Sequence, residues 1–100
     1  MVDSYAFGRM VMMYAYMTLG DGTEIVHSHL IEEDGIQKVI VHFERPNPDG
    51  FDDARCELPA YRWTEKRGFT DEEMAMFTKL LESNAHLIYR YAANGGVKIA

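Results

Sequence analysis

Two Asp-Gly pairs, Asp21-Gly22 and Asp34-Gly35, interrupt a stretch rich in Met, Val, Ile and Tyr, and they constrain the fold most. Asp-Gly suits tight turns whose central residues take positive φ, the geometry that joins neighbouring antiparallel strands. The flanking segments alternate and carry β-branched residues, so they read as strands over about 9–18, 23–31 and 36–43. Residues 45–53 hold two Pro, one Gly and three Asp and read as a loop. A short fourth strand is expected at 54–58, ended by Pro59, which has no N–H to donate. Tyr61–Gly68 reads as a connecting segment.

A helix is predicted over about 71–93. Thr70 and Glu73 stand at the two positions of a capping box, and Phe69 and Met74 at those of a hydrophobic staple. Met74, Phe77, Leu81, Ala85, Ile88 and Ala92 then recur at spacings of three and four. Asn94-Gly95-Gly96 supplies the stop. Ser83-Asn84 is a weak point at which the helix could break and be capped again. The expected fold is α+β: one domain over residues 1–100, a three- to four-stranded antiparallel meander packed on one long C-terminal helix.

Side-chain alternation divides the meander into two faces. A two-residue loop at Asp34-Gly35 sets His27 opposite His42 and His29 opposite Ile40. The expected core face is then Val11, Met13, Ala15, Met17, Val26, Ser28, Leu30, Val39, Val41 and Phe43. The second face collects Met10, Met12, Tyr14, Tyr16, Ile25, His27, His29, Ile31, Lys38, Ile40, His42 and Glu44. A slip of one residue would exchange the faces.

That second face is too apolar for ordinary solvated sheet, and Tyr and Met are enriched at interface cores. Met10, Met12, Tyr14, Tyr16, Ile25, His27, His29, Ile40 and His42 are therefore the expected interface of a homodimer or of a complex with a protein partner. The same register brings His27, His29 and His42 together. Three neutral imidazoles with an open position are one way to hold zinc, although no cofactor is required by the leading reading. With Tyr14 or Tyr16 beside them these histidines suit acid–base chemistry. A small metal- or His-dependent hydrolase or nuclease, with Arg62, Lys66 and Arg67 as phosphate contacts, is the runner-up. His86 falls on a polar helix stripe, and Cys56 reads as a small core residue.

Composition narrows the partners. Of 100 residues, 10 are Lys or Arg and 16 Asp or Glu, a net charge of −6. Such a chain is a poor generic binder of nucleic acid or of anionic membrane. One Cys excludes an intramolecular disulfide. The longest all-apolar run is Met10–Met17, against about 20 residues for a spanning helix. The expected location is cytoplasmic, with no membrane association.

Two stretches carry a resemblance. Phe7-Gly-Arg-Met-Val-Met-Met-Tyr14 is followed by Asp21-Gly-Thr-Glu and His27; Leu58-Pro-Ala-Tyr-Arg-Trp63 leads into Gly68-Phe-Thr-Asp-Glu-Glu and then Asn84-Ala-His-Leu-Ile-Tyr-Arg-Tyr-Ala92. Together they are similar to short, uncharacterised bacterial proteins of Firmicutes type. The order of features is more distantly similar to a family of unknown function often encoded beside antitoxin-like genes. The Asn-Pro-Pro that precedes the histidines in that family is absent here. The resemblance implies no activity and assigns no catalytic residue.

Overall fold

A computed structural model describes residues 13–96. The strands are β1 (Met13–Thr18), β2 (Glu24–Ser28), β3 (Ile31–Glu33), β4 (Ile36–Asn47), β5 (Gly50–Leu58) and β6 (Arg62–Arg67), followed by one helix, α1 (Asp71–Asn94). All pairings are antiparallel, in the order β1-β2-β4-β5-β6, with the short β3 also on β4. The architecture is α+β as expected, with six strands rather than three or four. No helix among the described residues is long and apolar enough to cross a membrane. Met10, Val11 and Met12, the start of the expected first strand, lie outside the described residues.

Both Asp-Gly turns form. Asp34 and Gly35 have φ of 53° and 79°, the paired positive values that an Asp-Gly loop accommodates. In the first turn the Asp21 carboxylate accepts from the Thr23 N–H at 2.9 Å, a side-chain mimic of a backbone turn.

The expected loop at 45–53 is instead the closed end of a long hairpin, in which β4 pairs with β5 from Val39↔Leu58 to Asn47↔Gly50. Its polar residues satisfy one another across the hairpin. Arg45 donates from Nε to Asp52 at 2.9 Å, Asn47 donates to Asp52 at 2.7 Å, and the Asp49 N–H donates to Asn47 at 2.8 Å. Residues with loop composition thus form strand because each has a partner. Tyr61–Gly68 also departs from expectation. It contains β6, an edge strand of sequence Arg-Trp-Thr-Glu-Lys-Arg whose exposed residues are mostly charged.

The helix keeps both capping-box bonds and ends on Gly95 in the left-handed region. It does not break at Ser83-Asn84. The Asn84 amide donates to the Leu80 carbonyl at 2.8 Å, while its oxygen accepts from the Tyr16 hydroxyl at 2.6 Å. Phe77, Leu81, Ile88 and Ala92 face the sheet. Full burial of an aliphatic or aromatic side chain of this size contributes about 1.5–3 kcal/mol. Phe77 stacks on Phe43 with centroids 4.3 Å apart, and Phe69 meets Phe77 edge-on at 5.0 Å. Ile25, Val39, Val41, Ala54, Cys56 and Leu58 complete the core from the sheet.

Arg45 ties three elements together. It reaches Asp52 on β5, Glu73 in the first turn of α1 and Asp21 in the β1–β2 turn, and lies 4.7 Å from the centre of the Phe69 ring. Gly68 is required beside this cluster. Its φ is 90°, and a Cβ placed there would stand 2.1 Å from the Asp52 carboxylate oxygen. Gly68→Ala should destabilise the fold by about 1–3 kcal/mol. Leu81→Asp, which buries an unpaired charge, should cost about 3–5 kcal/mol, a large share of a small protein's total. Denaturant melts of the two variants check both values; unchanged midpoints would contradict this core assignment.

Candidate functional site

The Asp34-Gly35 hairpin starts in the expected register, with Ile31 opposite Lys38 and Glu33 opposite Ile36. Beyond β3 the register slips. His27 faces Val41, and Val26 faces His42. One extra residue is accommodated in the link His29-Leu30. The Ser28 hydroxyl stabilises the break: it accepts from the Ile40 N–H at 2.9 Å and donates to the His29 carbonyl at 2.8 Å.

This slip corrects the expected faces. Ile25 and His27 join Val39, Val41 and Phe43 on the helix-covered side, and Val26 joins Ile40, His42 and Glu44 on the other. Tyr14 pairs with His27, with rings 5.6 Å apart. Tyr16 sits at a bulge in β1, packs 6.3 Å from His27 and 6.1 Å from Tyr91, and is bonded to α1 through Asn84. Tyr14, Tyr16, Ile25 and His27 are therefore under the helix, not on a free interface. Met13 and Ala15, expected in the core, lie on the uncovered face opposite Ser28 and Val26.

The expected imidazole trio does not assemble. His27 and His42 project from opposite faces, because they stand at neighbouring register positions of paired strands. His29 is in the link between β2 and β3. His27 is fully buried; its Nδ1 bonds the Ser28 carbonyl at 2.8 Å, and its Nε2 has no hydrogen-bond partner among the described residues. Burial lowers its pKa, partly offset by the Ser28 carbonyl.

The uncovered face changes character across the sheet. One row runs Ala15, Val26, His42, Arg55, Glu65 from β1 to β6; the next runs Thr18, Glu24, Glu44, Asp53, Arg67. Met13, Ala15, Val26 and Ile40 make the β1–β2–β4 part apolar. The β4–β5–β6 part is a shallow depression of about 270 Å³ lined by His42, Glu44, Phe51, Asp53, Arg55 and Arg67. Within it, ligand atoms of His42, Glu44 and Asp53 all lie within 4.8 Å of one another. Burial and the Arg55 charge push His42 down to about 4, so it is neutral at neutral pH. Burial, Asp53 and Glu24 push the Glu44 carboxyl up. Asp53 and Arg55 are not legible as site residues, because Asp53 ends a stretch of loop composition and Arg55 lies in a segment that reads only as a short strand. The alternation Asp52, Ala54, Cys56, Leu58 on the buried side was the signal that sets them outward.

Cys56 is buried, and burial followed by the Glu57 charge pushes its thiol up to about 12, which removes it as a nucleophile. His86 is exposed on α1. No family model, curated protein or solved structure matches the chain.

The burial of His27 sets a pH dependence. Its folded pKa lies below the ordinary 6.5, so protons bind the unfolded chain more readily. Its contribution is fully present above pH 6.5 and is lost as the pH falls below that value. Tyr14 and Tyr16 pack against the His27 ring, and burial raises the Tyr16 hydroxyl further above this range. Melting temperatures should fall on acidification from pH 6.5, and His27→Gln should flatten that slope even if it lowers every value. Parallel slopes for parent and variant would contradict this account.

Proposed function

We propose that the chain is a non-enzymatic interaction module that self-associates through the apolar half of its uncovered sheet face. One observation carries the reading: among the described residues the sheet has a helix on one face only, and Met13, Ala15, Val26 and Ile40 adjoin on the other. Apolar sheet surface of this kind usually finds a covering layer. The partner we assign is a second copy of the chain.

Charge supports that choice. Edge strand β1 has no charged residue, whereas the opposite edge, β6, carries Arg62, Glu65, Lys66 and Arg67. Charges on an edge oppose pairing with another chain, so β6 is guarded and β1 is not. Two copies at −6 each repel in general, and the repulsion is weakest where an uncharged strip meets its own image. A twofold axis supplies that match without a second complementary surface. Of the interface residues expected from sequence, Ile40 stays available to it and His42 lies at its rim; Tyr14, Tyr16, Ile25 and His27 are under the helix.

Light scattering and sedimentation test the reading. The parent chain should form a dimer. Ala15→Glu places a charge in the strip without touching the core, and should shift the protein to monomer with its melting profile unchanged. A parent chain that stays monomeric into the millimolar range, or an Ala15→Glu chain that dimerises like the parent, would falsify it.

A further inference from the structure

We propose that His42, Glu44 and Asp53 form a binding site for one divalent transition-metal ion on the uncovered face of the sheet. The site is independent of the self-association reading and uses the other half of the face.

Geometry carries the argument. Each residue offers one ligand atom, and these lie within 4.8 Å of one another. Ligands bound to a common ion at about 2.0–2.2 Å can be no more than about 4.4 Å apart, so side-chain rotations of a few tenths of an ångström close the set. The backbone beneath is paired strand over a buried core. His42 and Glu44 are alternate residues of β4, Asp53 faces Glu44 directly on β5, and the intervening Phe43 and Ala54 are wholly buried. Sites carried on strands hold their geometry better than sites on loops.

The electrostatics call for a cation. Glu24, Glu44 and Asp53 form a run of three acids across neighbouring strands, and like charges directly opposed in a sheet are unfavourable. Glu44 takes part in none of the ion pairs among the described residues; Asp53 has one long contact, 3.9 Å to Arg67. Arg55, beside His42, offsets part of the negative charge and weakens the pull on any cation. Its presence disfavours calcium and magnesium, which are held by oxygen charge alone. An imidazole with two carboxylates suits zinc, whose bond to nitrogen compensates. The depression is small for an organic ligand but ample for an ion and its remaining waters.

Calorimetric titration of the full chain with zinc, then with manganese, magnesium and calcium, tests the site. One zinc ion per chain should bind, with magnesium and calcium at least about tenfold weaker. His42→Gln, Glu44→Gln and Asp53→Asn should each weaken zinc by about tenfold or more while circular dichroism reports the same fold. His29→Gln and His86→Gln should leave binding unchanged. Absence of saturable binding overturns the proposal. So does undiminished binding in the three ligand variants, or loss with His29→Gln or His86→Gln, which would place the ion on a different histidine. A monomeric chain that still binds one zinc would remove the self-association reading alone.

Discussion

The bond between the Ser28 hydroxyl and the Ile40 N–H decides what each face of the sheet is. Between β3 and β2 the chain takes one residue more than β4 offers as partners. The hydroxyl gives the Ile40 amide the partner that the displaced strand does not. Because side chains alternate with a period of two, that residue moves Ile25 and His27 to one side and Val26 to the other. Everything placed on either face follows from it. The Tyr14–Tyr16–His27 group becomes packing for α1, and His42 stands on the face opposite His27.

The covered side shows how a single helix closes six strands. Phe43, Phe77 and Phe69 form an aromatic stack at one end, and Tyr16, His27 and Tyr91 occupy the other. Arg45 fastens the first end through three carboxylates from three elements, with Glu73 serving both the helix cap and this network. The guanidinium holds the Glu73 and Asp52 carboxyls below their usual range, so the links keep their charge in mildly acidic solution. At the other end the Tyr16–Asn84 bond does comparable work with neutral groups. A mid-helix Asn that looks like a weak point in isolation is there a tertiary contact.

What was legible in the sequence was local. The capping box, the helix stripe, the glycine stop and both Asp-Gly turns need only residues a few positions apart, and all of them form. What was not legible depended on partners. Arg45–Asp53 has loop composition until Arg45, Asn47 and Asp52 are seen to bond one another across a hairpin. β6 reads as linker because an edge strand keeps few apolar residues, here Trp63 alone among those facing the core. The division of faces fails for a different reason: the turn sets the expected register, and one extra residue beside Ser28 then reverses parity. No amount of composition reveals such a residue.

The uncovered face has a gradient that bears on how its two halves can act together. Along the row Ala15, Val26, His42, Arg55, Glu65, His42 is the last side chain without charge at neutral pH. A layer laid over the apolar half therefore meets His42 at its rim. It gains little by extending further, because covering Glu44 and Asp53 would strip two carboxylates of water, at a cost apolar contact does not repay. The acid pair stays solvated whether or not a second copy is present.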